Sequence, residues 1–316
     1  APATTPAPSP TSPTRARSRA RFHTLEVEDV RPLTEDSVEV TFTVPAELAD
    51  DYDYVPGQYV ALRKELDGAE VRRSYSICAV PKRGEIRVAV KKDIGGTFST
   101  WANESLEVGE KIDVMNPQGA FTSRTHVTSL NDAQKVAAEK VAEKKDTHLV
   151  AFAAGSGITP IMAIAKAVLA ASETSRFDLV YANRSAMDVM FAEEIGDLKD
   201  KYPARFTVHH VLSREQRVSP LLSGRIDEPK LRTILGALID PADVDEWFLC
   251  GPLALVDLCR EVLADVGVPR EHVRFELFTT GDEPVRAARP VTVRSGEKTV
   301  RIEVNLDGVS STVESP

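Results

Sequence analysis

The sequence predicts an α/β plus all-β protein: an antiparallel β-barrel, a parallel α/β domain after it, and a β-hairpin at the C-terminus. Residues 22–125 contain short alternating or β-branched stretches separated by turn signals, which is typical of a small antiparallel barrel. Over residues 148–280, strand-like and helix-like stretches alternate, which favours a parallel sheet covered on both faces. Residues 126–147 have almost no large apolar side chains and predict an exposed helix or a linker.

The predicted barrel consists of short strands with one inserted helix. Its strands are VEVTFTV (38–44), GQYVAL (57–62), VRRSYSICAV (71–80) and EIRVAVK (85–91). The helix begins within GGTFSTWANESL (95–106), where the hydroxyl of Thr97 or Ser99 could cap the first turn.

The predicted second domain alternates strands with helices. Its strands are HLVAFAA (148–154), FDLVYANR (177–184), FTVHHVL (206–212) and EWFLCG (246–251). The helices that follow them span 159–171, 188–201, 228–238 and 252–266.

The two ends of the chain differ from its middle. Residues 1–21 are rich in Pro, Ser and Thr and then in Arg, which predicts a disordered lead-in whose arginines are either solvated or touch an acidic partner. Residues 281–316 contain a linker and then VTVRSGEKTVRIEV (291–304), which predicts a hairpin too small to fold alone.

Length, charge and composition limit the function classes. A chain of 316 residues with 42% hydrophobic residues is long enough for about two globular domains. The net charge of −9 argues against nucleic acid as the main partner, and no apolar run approaches the ~20 residues of a membrane span. Three irregularly spaced cysteines fit a reducing compartment and predict no metal site. We therefore expect a cytoplasmic protein with neither a nucleic-acid nor a membrane partner.

The segment AAGSGITP (153–160) predicts a nucleotide-binding turn. Gly155 and Gly157 permit a sharp strand-to-helix turn and a close approach of the backbone to a phosphate, which the free N–H groups of the helix start would favour. Pro160 stands where the dinucleotide fingerprint has a third glycine, and it suits a first helical turn because it needs no donor there. The alternative is a glycine turn that binds nothing.

The tip of the next strand predicts a preference for NADPH over NADH. A usual NAD site has a carboxylate there for the ribose hydroxyl, whereas this strand ends in Asn183, Arg184 and Ser185. A guanidinium and a hydroxyl suit a 2′-phosphate, and Arg214 after the following strand could add a contact. The alternative is that both arginines are ordinary solvated residues.

The segment RRSYSICAV (72–80) predicts a second ligand site. Arg73 and Tyr75 share one face of a strand, so they could receive a ligand with both an anion and a flat ring, and Ser76 could hydrogen-bond a ring nitrogen. Gly95 and Gly96 precede a helix start and form a candidate phosphate nest. The alternative for the first pair is an ordinary cross-strand contact.

The cysteines divide into two groups. Cys78 and Cys259 are expected to be small core residues, because free cysteine is commonly buried. Cys250 differs, since it lies at the C-terminal end of a strand, where open α/β sheets bind ligands.

Four motifs occur together in the order and spacing of one family. They are Arg73-Ser74-Tyr75-Ser76, Gly95-Gly96-Thr97-Phe98-Ser99, Gly155-Ser156-Gly157-Ile158-Thr159-Pro160 and Cys250-Gly251-Pro252. With PGQYV (56–60) and NPQGAF (116–121), they resemble the ferredoxin–NADP⁺ reductase family over residues 22–280. The resemblance implies a flavin-binding barrel and an NADP-binding α/β domain.

On the barrel side, the resemblance implies FAD, although the residues do not exclude FMN. Arg73 and the turn 95–99 would hold the pyrophosphate, Tyr75 would stack on the flavin ring, and Ser76 would hydrogen-bond near flavin N5. The predicted cofactor-binding residues on this side are Arg73, Ser74, Tyr75, Ser76, Lys91, Gly95, Gly96, Thr97 and Ser99.

On the nucleotide side, the resemblance implies that Thr159 lies by the nicotinamide and Cys250 by the carbon that gives up hydride. Glu276 matches an acid near the hydride path, so Ser76, Cys250 and Glu276 are the predicted catalytic residues. Phe278 would cover the flavin face, although this chain continues where the family often ends. The other predicted nucleotide-side residues are Gly155, Gly157, Pro160, Asn183, Arg184, Ser185, Arg214, Gly251 and Pro252.

Within the family, the whole chain resembles the reductases of phenylacetyl-CoA ring-1,2-epoxidase complexes, in which a plant-type [2Fe–2S] ferredoxin domain follows the reductase core. Residues 291–316 look like the first hairpin of that domain. A plant-type cluster needs a C-x₄-C-x₂-C run with a further cysteine, which this sequence lacks. We therefore expect the natural chain to continue beyond Pro316, and we expect [2Fe–2S] only in that case.

The resemblance thus implies an NADPH-dependent flavoprotein reductase that passes electrons through FAD singly to an iron–sulfur centre. Its partners would be NADPH and the oxygenase subunits of a multicomponent monooxygenase in phenylacetyl-CoA catabolism, or another iron–sulfur acceptor. The alternatives are a reductase for a different oxygenase, a free flavin or ferredoxin reductase, a dehydrogenase without flavin, and a non-catalytic docking or regulatory subunit. Tyr75, Ser76 and Cys250 argue against the last of these.

Overall fold

The computed structural model describes most of the chain in two compact units, the first ending at Gly281 and the second beginning at Asp282. The described residues are 19–125 and 146–278, with the backbone of 300–306 and 309–315. Most of the predicted lead-in (1–21) and of the predicted linker (126–147) therefore lies outside the described residues.

The first sheet is six-stranded and antiparallel, in the order β4-β3-β6-β1-β2-β5. Its strands are β1 (Phe22–Thr34), β2 (Ser37–Thr43), β3 (Tyr59–Leu66), β4 (Ala69–Ser76), β5 (Glu85–Lys91) and β6 (Lys111–Met115). The sheet curls into a barrel, because a bridge between Ile77, directly after β4, and Val88 in β5 joins its two edges. Alternate side chains, among them Val27, Phe42 and Val60, fill one enclosed core. The predicted antiparallel barrel is confirmed.

Two barrel strands, β1 and β6, were not among the predicted ones. The register of β1 against β2 shifts twice, between Val27 and Asp29 and between Pro32 and Thr34, so its apolar residues do not alternate regularly. Strand β6 has 5 residues, which is too short for a clear pattern. Both strands nevertheless lie in the middle of the sheet, where pairing on two sides holds them.

The predicted inserted helix is present as α1 (Thr97–Glu104), which packs against the barrel through Phe98 and Ala102. The predicted cap is wrong, because the N-cap residue is Gly96 and no side chain caps this helix. The Ser99 hydroxyl instead accepts from the Asp93 amide (3.0 Å) and donates to the Gly96 carbonyl (3.2 Å), which fixes the turn before the helix.

The second sheet is five-stranded and parallel, in the order β11-β10-β7-β8-β9. Its strands are β7 (His148–Ala154), β8 (Arg176–Asn183), β9 (Phe206–Leu212), β10 (Glu246–Gly251) and β11 (Val273–Leu277). The helices beside it are α2 (Ile158–Ala171), α3 (Ala192–Lys201), α4 (Glu228–Ala237) and α5 (Leu253–Asp265). Because the chain order reverses between β7 and β10, their C-terminal ends flank a topological switch point.

Both faces of this sheet are covered, as the buried alternation of β7 shows. Leu149 and Ala151 pack with α2 and α3, whereas Val150 and Phe152 pack with α4 and α5. The α2–α3 face also contacts the barrel, where the rings of Phe121 and Phe248 meet edge to face, with centroids 5.5 Å apart. The predicted doubly covered parallel sheet is confirmed.

The helix predicted over 188–201 begins at Ala192 instead. Asp188 is used earlier, because its side chain and that of Ser185 form a capping box around a short 3₁₀ turn. Phe191 then adopts a positive φ of 59°, which separates that turn from α3.

The second unit contains an antiparallel pair, β12 (Val300–Leu306) and β13 (Val309–Ser315). A hairpin near the C-terminus was predicted, but over 291–304. Its second half lies in β12, whose described partner β13 follows it, and residues 291–299 lie outside the described residues.

Candidate functional site

The glycine turn lies at the switch point of the parallel sheet. Gly155 has φ +52°, and its carbonyl accepts from the hydroxyl of Tyr181 at 2.9 Å. A Cβ on Gly157 would lie 2.2 Å from the Cys250 carbonyl oxygen, so only glycine lets the turn approach β10 so closely. Sequence reasoning missed Tyr181, because nothing local to a buried strand tyrosine indicates that its hydroxyl reaches a glycine carbonyl.

Helix α2 begins directly after the glycine turn, and no side chain caps its N-terminus. Pro160 lies in the first helical turn, where the sequence predicted it would be tolerated. Thr159 is buried, and its Oγ1 donates to the Ser156 carbonyl at 3.0 Å. The backbone N–H groups at an uncapped helix start favour an anion, so the turn has the donor chemistry that a nucleotide phosphate needs.

The three residues predicted to contact the ribose lie at the C-terminal tip of β8, as expected: Asn183 ends the strand, and Arg184 and Ser185 follow it. The side chain of Asn183 is buried beside that of Tyr181. Arg184 is exposed, and its Nε donates to Asp188 at 3.0 Å. The hydroxyl of Ser185 donates to the same carboxylate at 2.6 Å. Arg214 joins this tip through its backbone N–H, which donates to the Arg184 carbonyl at 2.7 Å.

Asp188 is therefore the local counter-ion of the predicted 2′-phosphate site. Burial by itself would raise the pKa of its carboxyl, but hydrogen bonds from Ser185 and Arg184 and the charges of Arg184 and Lys91 lower that pKa below its ordinary value. Asp188 was not among the predicted site residues. In the structure, the Asp188 carboxylate lies at the tip of β8, where the sequence predicted no carboxylate.

On the barrel, β4 and the turn before α1 form one surface. Arg73 is exposed and Tyr75 half-buried, with the Tyr75 ring 5.6 Å from that of Phe98 in α1. Burial raises the pKa of Asp93, and the nearby charges of Arg73 and Lys91 partly oppose that rise. Gly95 in this turn has φ +77° and faces open space. A guanidinium, an aromatic face and an uncapped helix start thus lie together, and these groups fit a ligand with a pyrophosphate and a flat ring.

Other predicted barrel residues have more local roles. Ser74 and Thr97 are exposed, beside Arg73 and at the start of α1. Lys91, predicted as a flavin-side contact, donates from Nζ to Asp36 at 2.7 Å. Sequence reasoning missed Asp36, because a carboxylate in a surface turn carries no recognisable pattern.

The two halves meet at the predicted catalytic residues. Ser76 Oγ on β4 donates to Glu276 Oε2 on β11 at 2.8 Å. Glu276 is paired in register with Cys250 on β10, so both side chains lie on the same face of the sheet. Residues 200 positions apart are thereby brought together, next to the glycine turn that touches the Cys250 carbonyl.

Burial controls the protonation of this pair. It raises the pKa of Glu276, and the hydrogen bond from Ser76 partly offsets the rise. It also raises the pKa of the Cys250 thiol well above its ordinary value, with a further contribution from the Glu276 charge. Cys250 is therefore a neutral thiol, which argues against a role as a nucleophile.

Beyond Cys250, the chain turns through Gly251, whose φ is +154°, into Pro252, the N-cap residue of α5. The Phe278 amide donates to the Gly251 carbonyl at 3.4 Å, and its partly buried ring packs against the core on the α2–α3 side. These residues lie at the same edge as the glycine turn, as predicted. Their roles toward a cofactor remain predictions.

Charged groups also hold the two halves together. Arg31 of β1 contacts both Glu39 of the barrel and Glu194 of α3, and Lys166 of α2 pairs with the same Glu194. Elsewhere, buried Glu246 accepts hydrogen bonds from 123–125, where the barrel segment reaches the parallel sheet. The relative position of Ser76 and Glu276 is thus supported on both sides.

The remaining classes of site involve membranes and metal ions. No helix within residues 19–125 and 146–278 is both long and apolar enough to span a membrane. In the same part of the chain, His, Cys, Asp and Glu side chains form no group of three suited to a metal ion. All three cysteines are free and buried.

Two domain families match this chain. The oxidoreductase FAD-binding domain matches residues 24–123, and the oxidoreductase NAD-binding domain matches residues 152–261. The first match falls on the barrel and the second on the parallel sheet, so each half of the site lies in the domain type that its own residues predicted.

Comparison of whole chains agrees. The chain is 38% identical to one subunit of the 1,2-phenylacetyl-CoA epoxidase of Escherichia coli (strain K12), over 92% of this chain and 79% of that protein. It is 33% identical to the ferredoxin reductase component of 3-ketosteroid-9-alpha-monooxygenase of Rhodococcus rhodochrous, over 90% of this chain and 74% of that protein. Among solved structures, a ferredoxin NADP⁺ reductase from Neisseria gonorrhoeae shares the fold, with a TM-score of 0.64 and 17% identity over 81% of this chain and 98% of that chain. The curled barrel, the parallel sheet and the relatives together show that this chain belongs to the ferredoxin–NADP⁺ reductase family and is an NAD(P)H-dependent flavin oxidoreductase.

Proposed function

We propose that this chain takes electrons from NADPH and, with FAD on its barrel, delivers them singly to an iron–sulfur centre that serves an oxygenase. The observation that carries the proposal is the hydrogen bond of 2.8 Å from Ser76 on the barrel to Glu276 on the parallel sheet, beside Cys250. It brings the flavin half and the nucleotide half of the site to one point.

The barrel residues fit FAD, and we propose the following roles. Arg73 and the helix start after Gly95 and Gly96 hold the pyrophosphate, while Tyr75 offers its ring to the flavin. Bound FAD supplies hydride acceptance and the release of electrons one at a time. The barrel positions this group, and its electrostatic surroundings tune it.

The catalytic roles follow from burial and hydrogen bonding. Glu276 orients the Ser76 hydroxyl, and its raised pKa lets it hold a proton to a higher pH than an ordinary carboxyl does. Cys250, neutral and fully buried, occupies space at the switch point without adding charge and so helps to exclude water. Thr159 and the glycine turn orient the nucleotide backbone against β10.

The choice of NADPH rests on the tip of β8. Arg184 and Ser185 supply a guanidinium and a hydroxyl, which suit a 2′-phosphate. NADH is the second candidate, because the Asp188 carboxylate at the same tip could accept a hydrogen bond from a free ribose hydroxyl.

The acceptor is proposed from the relatives. One is named as a subunit of an epoxidase that acts on phenylacetyl-CoA, and another as the ferredoxin reductase component of a ketosteroid monooxygenase. We propose a phenylacetyl-CoA epoxidase as the end point, because the first match has the higher identity. A different oxygenase is the second candidate. The three buried cysteines form no cluster motif, so the iron–sulfur centre would lie outside these 316 residues.

The test is anaerobic mixing of the FAD-loaded protein with NADPH or NADH, followed by addition of a plant-type [2Fe–2S] ferredoxin. We expect NADPH to bleach the yellow absorbance faster than NADH does, and the ferredoxin then to restore it. Bleaching by NADH alone would contradict the nucleotide choice. Reoxidation by free flavin but not by ferredoxin would contradict the acceptor, and protein that is never bleached would indicate a docking subunit.

A further inference from the structure

A cluster of four charged side chains joins the barrel to the predicted 2′-phosphate site. Asp36, in the turn between β1 and β2, accepts from Lys91 Nζ at 2.7 Å and from Arg184 Nη2 at 3.1 Å. Arg184 also pairs with Asp188 through the same nitrogen, at 2.5 Å. Barrel and nucleotide domain therefore each contribute one cation and one carboxylate to this cluster.

The charges of the cluster cancel. Burial would raise the pKa of Asp36, but hydrogen bonds from Lys91 and Thr34, with the charges of Lys91 and Arg184, lower it below its ordinary value. Asp188 is likewise held ionised, so both carboxylates are charged at neutral pH. An arriving 2′-phosphate would thus meet two cations that are already neutralised.

Of the two carboxylates, Asp36 is the one whose contact with Arg184 is easier to break. Asp188 accepts from both Nε and Nη2 of Arg184 and belongs to the same 3₁₀ turn through the capping box. Asp36 contacts Arg184 only through Oδ2, across the domain boundary, while Lys91 and Thr34 hold its Oδ1 on the barrel. The Arg184 side chain keeps 48% of its surface exposed, so its ion pairs are screened by water and can be exchanged at low cost.

We propose that Asp36, a residue of the barrel, is a specificity-determining residue for the nucleotide: it holds Arg184 and Lys91 as their counter-ion and competes with the 2′-phosphate for them. This inference rests on the proposed use of NADPH. On binding, Arg184 and Lys91 exchange the Asp36 carboxylate for phosphate oxygens. A nucleotide without that phosphate leaves the cluster as it is, so Asp36 weakens NADPH binding and leaves NADH binding unaffected.

The experiment uses the FAD-loaded chain and two small probes, adenosine 2′,5′-bisphosphate and adenosine 5′-monophosphate, with affinities measured by titration calorimetry. For Asp36→Asn we expect the bisphosphate to bind roughly fivefold more tightly, which is the size expected when one partly screened charge is removed beside a dianion. The affinity for the monophosphate should change less than about twofold, since it has no charge at that position. The Michaelis constant for NADPH, but not for NADH, should fall in parallel.

The matched control is Glu194→Gln. Glu194 also joins the two halves, but through Arg31 and Lys166 and without contacting the cluster. If Glu194→Gln tightened bisphosphate binding as much as Asp36→Asn, the effect would come from loosened domains and the inference would fail. Equal changes for both probes, or no change, would also overturn it. If Asp36→Asn does not retain FAD, Asp36→Ser replaces it under the same criteria.

Arg184→Ala separates this inference from the proposed function. Selective loss of bisphosphate binding in Arg184→Ala, with no effect of Asp36→Asn, would leave the NADPH proposal standing and remove the role of Asp36. Equal loss of both probes in Arg184→Ala would contradict the reading of the 2′-phosphate by Arg184. If Asp36→Asn still bound the bisphosphate more tightly, Lys91 would be the residue that contacts the 2′-phosphate.

Discussion

The chain turns twice from a strand into a helix, and two of the glycines in these turns, Gly157 and Gly95, are needed for different reasons. The nucleotide turn (155–160) and the flavin turn (93–99) each lead from a strand into a helix without a side-chain cap. At Gly157 a Cβ would lie 2.2 Å from the Cys250 carbonyl oxygen, whereas Gly95 faces open space but has φ +77°. Packing against a neighbouring strand therefore requires Gly157, whereas backbone conformation requires Gly95 and also Gly155, whose φ is +52°.

The largest expected effect comes from Gly157→Ala. The added methyl cannot avoid a backbone oxygen, so β10 or the turn must shift, at a cost of about 3 kcal/mol in the free energy of unfolding. Denaturant titration of the FAD-loaded protein measures it. Gly196→Ala is the control, because it adds a methyl in open space within helix α3 and should be neutral or slightly stabilising. An unchanged midpoint for Gly157→Ala would show that the turn does not pack tightly against β10 at this glycine.

The next effect concerns the point where the two halves meet. Ser76→Ala removes the donor to Glu276 and should slow flavin reduction by NADPH roughly 30-fold in single turnover, with flavin content unchanged, because a positioned polar contact at the reacting centre is lost. Thr43→Ala is the control, an exposed hydroxyl on barrel strand β2. An unaltered reduction rate in Ser76→Ala would remove this residue from the mechanism.

Gly95→Ala should cost less than Gly157→Ala, about 1 kcal/mol, since only the positive φ is penalised. Asparagine tolerates that conformation, so Gly95→Asn should regain most of the lost stability, whereas Gly157→Asn should regain none. Thermal melts of the four variants test the contrast. Recovery at both positions, or at neither, would contradict the assignment of one glycine to packing and the other to conformation.

The smallest effect is a pH dependence at Glu276. Its pKa in the folded protein is raised above the unfolded value of about 4.3, so its contribution to stability is full below that value and is lost as pH rises through the folded pKa. Glu276→Gln cannot ionise and should melt slightly higher than the wild type at neutral pH. The difference in melting temperature between Glu276→Gln and the wild type should disappear toward pH 4. A difference that does not change with pH would contradict the raised pKa of Glu276.

Much of the architecture was predictable, because buried strands and helices have characteristic patterns of apolar residues in the sequence. The apolar alternation of β7 and the apolar start of α2 mark a strand and a helix without any reference to their neighbours. The structure confirms the barrel and the parallel sheet, and it places Ser76, Glu276 and Cys250 together. What these residues do toward a bound cofactor stays a prediction.

The missed features have in common that their cause lies elsewhere in the chain or breaks a regular pattern. Strand β1 was missed because two register shifts interrupt its alternation, and β6 because it is short. Helix α3 begins later than predicted, because Asp188 caps the 3₁₀ turn after β8. Asp36 and Tyr181 carry no local signal, since each is defined by a partner far away in sequence.

By itself, the sequence determined the two domain types and the positions of both glycine turns, because periodicity and turn residues act over a few positions. Only the tertiary structure decided that Ser76 reaches Glu276, that Gly157 has no room for a side chain, and that Arg184 is already paired with a carboxylate of the barrel. These are contacts between residues distant along the chain. Their geometry depends on how the sheets pack, which no local pattern encodes.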